Sequence, residues 1–244
     1  MTRPIPKLLH QIWYQGEHAL PDKYRRYHAT WRRHHPDWTL RVWDAHTLRE
    51  HVAAHHSGFL PRYDAFAHDI QRIDSARYCV LDTLGGVYAD MDIESLRPVD
   101  ALFDGRALVL SGTRDYNNAL IGSMPGHPLW RTALDALCAG ASAPLDDLPP
   151  RLRTRAAMQI AATTGPRFFS MCVERSGVAA WPTTLCCPRD YFEPEAASAQ
   201  AAADAGAYGR HDMDLNWQPP HTRLLSRLTR VVFAAHAKMR GAQR

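Results

Sequence analysis

The sequence contains no apolar run that approaches the roughly 20 residues of a membrane-spanning helix. Its first seven residues lack the apolar core of a signal peptide. No stretch is as densely basic as in a typical nucleic-acid-binding protein, and no internal repeat is present. These absences argue against membrane-spanning, nucleic-acid-binding and repeat proteins, and we expect a cytoplasmic location.

The sequence also lacks any Cys-x-x-Cys spacing. Its cysteines are odd in number: Cys79, Cys138, Cys172, Cys186 and Cys187. We therefore expect reduced, mostly buried thiols rather than a disulfide framework. The 244 residues are 45% apolar and 22% charged, which is enough for one sizeable globular domain. The net charge of +4 is mild and permits an anionic ligand.

One stretch, from Asp74 to Asp92, organises the chain. Apolar residues recur at three- and four-residue spacing up to Leu84, which predicts a helix. Gly85-Gly86 ends this helix, because glycine readily adopts the backbone conformation found at helix C-termini. Residues 87–89 then predict a short buried strand.

The predicted strand ends at two acidic residues, Asp90 and Asp92. Side chains two residues apart on a strand share a face, so we expect these carboxylates to lie side by side. They would repel each other unless a cation lay between them, and oxygen ligands suit Mg²⁺ or Mn²⁺. The pair therefore predicts a metal site suited to binding a phosphate.

The remaining chain predicts an alternation of strands and helices. Strands are predicted at residues 7–14, 39–44, 107–112, 117–123 and 183–187. Helices are predicted at residues 21–33, 45–55, 61–84 (broken near Asp69), 128–137, 151–162 and 165–175. Residues 96–102 are interpreted as a connector, and 196–207 as a flexible or weakly helical surface segment. A loop after the first strand is where open α/β sheets bind nucleotides.

Two further regions leave alternatives open. Seven histidines lie between residues 28 and 56, and without a matching Cys or carboxylate spacing we expect solvated helix faces rather than a metal site. Residues 219–244 predict a basic amphipathic helix, and no acidic residue follows Asp214. Such a helix either lies on an anionic membrane surface or caps the core with a basic tail.

The central stretch resembles the sugar-binding region with the DXD motif of retaining glycosyltransferases of family 32. This family includes yeast-type mannosyltransferases and is distantly related to glucosylating clostridial toxins. Other segments resemble the family in the same order, from residue 5 to residue 217: Ile5–Trp13, Pro36–Asp44, Asn118–Trp130, Thr164–Pro166 and the pair His211…Trp217. Each motif is short, so it is their order and spacing that make the resemblance to the family specific.

The resemblance implies an α/β protein with the GT-A fold, a Rossmann-like mixed sheet flanked by helices. It implies a single catalytic domain over residues 1–218, followed by the basic helix 219–244. The implied activity is retaining transfer of a sugar from a UDP- or GDP-linked donor to a glycan or lipid-linked acceptor, as in polysaccharide biosynthesis. The implied cofactor is Mn²⁺ or Mg²⁺.

The resemblance also assigns residues to the nucleotide side of the site. Trp13 would stack on the nucleobase and the backbone near Ile12 would contact it, while Tyr88 would line the nucleotide pocket. Asn118 belongs to the donor site, and Trp217 would lie near the diphosphate. Trp13 and Trp217 could instead be core aromatic residues.

On the sugar and metal side, Asp74 and Arg77 would hold the donor sugar hydroxyls. Asp90 would contact the ribose or a metal-bound water, and Asp92 would bind the metal, with His211 completing the metal site. Asp74 and Arg77 could instead form a local ion pair worth only a few tenths of a kcal/mol, and His211 could be an ordinary surface histidine.

One departure concerns the C-terminal motif, where Asn216 stands at a position that is usually small. Asp212 or Asp214 could therefore share the metal role.

Two other functions compete with sugar transfer. A metal-dependent phosphohydrolase would carry its acidic pair after the first strand. A non-catalytic relative that only binds a nucleotide sugar would not need the groups that carry out sugar transfer.

Overall fold

The computed structural model of the protein describes residues 4–196 and 198–214. The strands in these ranges are β1 (Leu8–Ile12), β2 (Thr39–Trp43), β3 (Gly86–Ala89), β4 (Ile93–Ser95), β5 (Leu108–Ser111), β6 (Asn117–Ser123), β7 (Thr184–Cys187) and β8 (Gly209–His211). The helices are α1 (Asp22–His34), α2 (Ala45–His55), α3 (Leu60–Asp64), α4 (Asp69–Leu84), α5 (Asp100–Phe103), α6 (Pro128–Cys138), α7 (Pro150–Arg153), α8 (Ala156–Thr163), α9 (Pro166–Ser176) and α10 (Ala199–Asp204).

Six strands form one mixed sheet in the order β2-β1-β3-β6-β5-β7. The pairs β1–β2, β1–β3 and β5–β7 are parallel, whereas β3–β6 and β5–β6 are antiparallel. The two short strands β4 and β8 form a separate antiparallel pair. This mixed sheet with flanking helices is the predicted architecture.

Helices cover both faces of the large sheet, because its strands direct alternate side chains to opposite sides. Tyr88 of β3 packs with α2, α4, α6 and α9 in one apolar core. Its neighbours Val87 and Ala89 pack with α1 and α5 in a second core on the other face.

Helix α4 runs through the first core and delivers the chain to β3. All its residues from Asp74 to Leu81 are buried. The helix ends at Gly85 and Gly86, whose φ angles of 63° and 90° favour glycine. A Cβ on Gly86 would lie 2.6 Å from the carbonyl oxygen of Leu8, so a larger residue could not approach β1 as closely.

Several sequence-based boundaries need correction. Strand β3 ends at Ala89, so Asp90 and Asp92 lie in a turn rather than on a strand. The turn is closed by a hydrogen bond from the Ile93 N–H to the Asp90 carbonyl oxygen (3.1 Å). The helix predicted at 151–162 is two helices, α7 and α8, and the connector at 96–102 includes the start of α5. Strands β4 and β8 were not predicted.

The expectation of solvated histidines is wrong for His28, His35 and His51, which are buried. His35 shows why: its Nδ1 lies 3.0 Å from the Trp31 carbonyl oxygen, and its Nε2 accepts a hydrogen bond from the Val99 N–H (3.0 Å). The His35 imidazole thus satisfies backbone groups inside the fold, whereas His28 Nδ1 lies 2.6 Å from the Gln11 side-chain oxygen.

The described residues up to Asp212 form one compact unit. The predicted domain boundary at residue 218, Trp217 and the basic helix 219–244 lie outside the described residues. No helix within the described residues is long and apolar enough to cross a bilayer. All five cysteines are free, and Cys79, Cys172 and Cys187 are buried.

Candidate functional site

Three side chains that the sequence singled out as metal ligands lie together beyond the end of β3. One potential ligand atom from each of Asp90, Asp92 and His211 lies within 4.8 Å of the other two. Asp92 Oδ1 and His211 Nε2 are 3.2 Å apart. The turn between β3 and β4 thus places the two carboxylates side by side, although strand alternation is not the cause.

The small sheet brings His211 to this turn across more than a hundred residues of sequence. His211 is the register partner of Ile93, the residue after Asp92. The N–H of Asp212 also donates to the carbonyl oxygen of Asp92 (3.0 Å). Strand β8 therefore fixes the histidine opposite the acidic pair through backbone hydrogen bonds.

Arg77 connects this cluster to helix α4. Its guanidinium pairs with Asp74 Oδ1 (2.8 Å) on the same helix and with Asp90 Oδ1 (3.1 Å). It also donates to the carbonyl oxygen of Asn118 in β6 (2.7 Å). The Arg77 side chain is only 2% exposed, so this is a buried, bridging ion pair and not a local pair on a helix surface.

Asp74 lies in a dense polar network. Its Oδ1 accepts from the Asn118 side-chain amide (3.2 Å), and its Oδ2 accepts from the Thr164 hydroxyl (3.2 Å). Gly165 lies close to this carboxylate, because a Cβ there would lie 3.4 Å from Asp74 Oδ2 and 3.0 Å from the Cα of Ala161 in α8. The segment Thr164–Pro166, singled out in the sequence, thereby contacts the same carboxylate.

Burial and neighbouring charged groups both shift the pKa values of the site residues. Burial raises the pKa of Asp74 to about 6, even though the charge of Arg77 lowers it. Burial also raises the pKa of Asp90, and the nearby Asp92 raises it further. Burial would lower the pKa of His211, but hydrogen bonding to Asp92 and Glu193 raises it to about 10. Without a cation, His211 is therefore protonated at neutral pH.

Tyr88 lies beneath the cluster and is 1% exposed. Its hydroxyl donates to Asp90 Oδ1 (2.5 Å), and the guanidinium of Arg77 lies 4.4 Å from its ring centroid. In this structure Tyr88 therefore orients Asp90 from below.

The predicted nucleotide side is formed by the loop after β1. Trp13 is half-buried, and its ring lies 5.1 Å from that of Tyr24. It packs in a small cluster with Met91, the residue between the two aspartates. Ile12 is a core residue at 6% exposure. Trp13 thus lies beside the acidic turn with part of its surface exposed.

Asp212, considered above as a further metal ligand, has its carboxylate engaged elsewhere. Its Oδ2 accepts from the Tyr27 hydroxyl (2.7 Å) and pairs with Lys23 Nζ (2.7 Å), both on α1. Asp212 therefore ties the end of β8 to α1. The metal-competent cluster found among the described residues is Asp90, Asp92 and His211.

One residue of the site was missed by sequence reasoning. Glu193 is 5% exposed in its side chain, and its Oε1 lies 3.7 Å from His211 Nδ1. No motif surrounds it, and its proximity to His211 depends on contacts between distant segments. The sequence therefore offered no signal for it.

The donor set fits a divalent cation. Two carboxylates and one imidazole offer both oxygen and nitrogen ligands. The oxygen ligands suit Mg²⁺ and Mn²⁺, and the nitrogen ligand also suits softer metals. The repulsion between Asp90 and Asp92 favours a positive charge between them. A cation held there would be suited to an anionic ligand such as a diphosphate.

The family model described as "Glycosyltransferase sugar-binding region containing DXD motif" matches residues 21–108 of the chain. Inositol phosphoceramide mannosyltransferase 1 of Schizosaccharomyces pombe is 30% identical over 138 residues, covering 54% of this chain and 43% of the relative. Inositol phosphoceramide mannosyltransferase 3 of the same organism is 33% identical over 125 residues, covering 51% and 35%. The chain thus spans less than half the length of either relative.

Among solved structures, the UDP-bound glycosyltransferase domain of the YGT toxin matches with a TM-score of 0.55. The sequences are 10% identical, and the match covers 75% of this chain and 80% of the toxin domain. A likeness at this identity concerns the fold alone. It confirms the prediction of a GT-A fold.

We expect Arg77→Leu to destabilise the protein by about 3–5 kcal/mol, because it leaves the buried carboxylate of Asp74 and the partly buried carboxylate of Asp90 without their positively charged partner. Urea denaturation followed by circular dichroism measures the change. Arg49→Leu is the matched control, since it removes an arginine whose pair with Asp64 is exposed, and it should leave stability nearly unchanged. Equal small effects of both variants would contradict the buried bridge.

Proposed function

We propose that the chain is a metal-dependent, retaining glycosyltransferase, and the match of residues 21–108 to the model of glycosyltransferase sugar-binding regions with a DXD motif supports this proposal. The donor is a nucleotide-linked sugar, with UDP or GDP as the nucleotide. The observation that carries the proposal is the convergence of Asp90, Asp92 and His211 beside the buried pair Asp74–Arg77. A cation site next to fixed hydrogen-bonding groups suits a sugar diphosphate.

In this proposal Asp92 and His211 hold the cation, with Asp90 as the third ligand or as a contact to the ribose. A bound divalent cation offsets the negative charge that builds up on the leaving diphosphate. His211 must release its proton before Nε2 can bind a cation. The site fits Mn²⁺ or Mg²⁺, and we favour Mn²⁺ because one ligand is an imidazole.

Asp74 and Arg77 form the floor of the proposed sugar site. Asp74 accepts hydrogen bonds from sugar hydroxyls, while Arg77 and Asn118 keep its carboxylate in place. Retention of configuration requires no base on the opposite face of the sugar. The acceptor hydroxyl attacks from the side of the leaving group, and a phosphate oxygen takes its proton.

Trp13 forms one wall of the proposed nucleotide site, and the backbone near Ile12 contacts the base. The partly exposed ring of Trp13, which packs beside Met91, supports this role. Tyr88 contributes by orienting Asp90. The proposed roles of Trp217, in closing the diphosphate site, and of residues 219–244 rest on sequence alone.

The acceptor is proposed to be a glycan or a lipid-linked sugar. The two yeast relatives are named for mannose transfer to inositol phosphoceramide, which supports a lipid-linked acceptor as a class. A cytoplasmic location and a peripheral membrane contact through residues 219–244 are part of the proposal. The phosphohydrolase alternative is disfavoured, because the acidic pair follows β3 and not the first strand.

We expect Asp92→Asn to abolish Mn²⁺-dependent transfer or hydrolysis of the sugar nucleotide, because it removes a charged ligand. Activity is measured by release of UDP or GDP from a donor panel, with circular dichroism as the check on folding. Asp135→Asn, at a carboxylate 76% exposed on α6, is the matched control and should retain activity. Full activity of Asp92→Asn would remove the metal assignment, and an inactive wild type would favour a non-catalytic relative.

We expect Trp13→Ala to weaken nucleotide binding by about 1–3 kcal/mol if the base stacks on the indole. Calorimetric titration with UDP and GDP in the presence of Mn²⁺ measures the affinity. Trp181→Ala removes a tryptophan that is 40% exposed and should leave the affinity unchanged. Unchanged affinity in Trp13→Ala would place the indole outside the nucleotide site.

We expect the full chain with Arg223, Arg227, Arg230 and Arg240 replaced by Gln to bind anionic vesicles more weakly. Each basic residue near such a surface contributes about 1 kcal/mol. Co-sedimentation with phosphatidylglycerol vesicles measures binding, and neutral phosphatidylcholine vesicles serve as the control. Equal sedimentation of both proteins would contradict the membrane role.

A further inference from the structure

We propose that Glu193 is a positioning residue that holds the His211 ring with Nε2 directed at the acidic pair. The inference rests on the proposed cation site and deepens it. It extends the site from three side chains to a carboxylate–imidazole–cation arrangement, in which Glu193 does not contact the cation.

Each of the two ring nitrogens of His211 faces a different carboxylate. Nε2 lies 3.2 Å from Asp92 Oδ1, and Nδ1 lies 3.7 Å from Glu193 Oε1, within ion-pair distance. The side chains of His211 and Glu193 are 9% and 5% exposed. Little water therefore competes with these contacts, and the ring is held from both sides.

Glu193 is itself fixed by groups outside the proposed cation site. The Asn117 side-chain amide donates to its Oε1, and Arg189 Nε donates to its Oε2 (2.5 Å). A charged carboxylate thus stands in a defined position behind the histidine.

The backbone holds the two residues next to each other. The His211 N–H donates to the carbonyl oxygen of Phe192 (2.9 Å), the residue before Glu193. Gly209 allows the close approach, because a Cβ there would lie 3.0 Å from the Phe192 ring. The segment before Glu193 therefore runs along β8 and sets the distance between carboxylate and imidazole.

This arrangement determines which nitrogen can bind a cation. A neutral imidazole carries one proton, and the group facing each nitrogen decides where that proton lies. Glu193 favours the proton on Nδ1, which leaves the lone pair of Nε2 directed at Asp90 and Asp92. A carboxylate behind a metal-bound histidine also increases the basicity of the ring, and removing such a partner typically lowers metal affinity about 10- to 100-fold.

The test is the Mn²⁺ affinity of the full chain, measured by calorimetric titration with MnCl₂ in the presence of UDP or GDP. We expect Glu193→Gln to weaken Mn²⁺ binding about 10- to 100-fold. Glu94→Gln is the matched control, because it removes the same charge two residues after Asp92 from a carboxylate that pairs with Arg210. We expect Glu94→Gln to bind Mn²⁺ like the wild type.

A spectroscopic readout separates positioning from a general loss of structure. Electron spin-echo measurements on the Mn²⁺ complex detect a directly bound histidine nitrogen. We expect this ¹⁴N coupling in the wild type and in Glu94→Gln, and its weakening in Glu193→Gln at saturating Mn²⁺. If Glu193→Gln does not fold, Arg189→Gln provides the test, since Arg189 is 72% exposed and restrains Glu193. It should weaken Mn²⁺ binding by a smaller factor.

The outcomes distinguish this inference from the proposed function. If the wild type binds Mn²⁺ and Glu193→Gln binds it equally well with the same ¹⁴N coupling, the role of Glu193 is wrong and the cation site stands. An equal loss in Glu193→Gln and Glu94→Gln also overturns it, because net charge then explains the effect. If the wild type binds no Mn²⁺, both the cation site and the role of Glu193 are wrong.

Discussion

The rest of the site depends on the contacts of the buried Arg77 guanidinium. It pairs with Asp74 on its own helix and with Asp90 after β3, and it donates to the backbone of Asn118 in β6. Burying ionised carboxylates is costly unless each has a partner. One side chain therefore joins a helix and two strands, and it sets where the acidic turn begins.

The parts of this arrangement that the sequence predicts are local. Asp74 and Arg77 are one helical turn apart, and the periodicity that places them in α4 lies within a single segment. Gly85-Gly86 marks the end of that helix just as reliably. The pairing of Asp90 with Asp92 was predicted for the wrong reason, because a turn and not a strand brings the carboxylates together. Two residues that are this close in sequence lie near each other in either a strand or a turn.

The parts that the sequence does not predict depend on distant contacts. Strand β8 has three residues, and its pairing with β4 spans more than a hundred residues, so no local pattern reveals it. Glu193 and Asn117 are 76 residues apart and meet only in the folded chain. His35 appeared solvated because its run of neighbours is polar, yet it satisfies backbone groups in the interior. Order along the chain identified His211, but not what holds it.

The charges of the cluster give a physical reason for a divalent cation. Four buried or half-buried carboxylates face three positive groups: Asp74, Asp90, Asp92 and Glu193 against Arg77, Arg189 and protonated His211. In the proposed metal-bound state His211 gives up its proton and a double charge takes its place, so the formal charges balance. The same exchange replaces a proton between Asp92 and the imidazole by an ion that both can bind. In the proposed function, a site with Arg77 fixed on one side and Glu193 on the other would therefore favour a divalent over a monovalent cation.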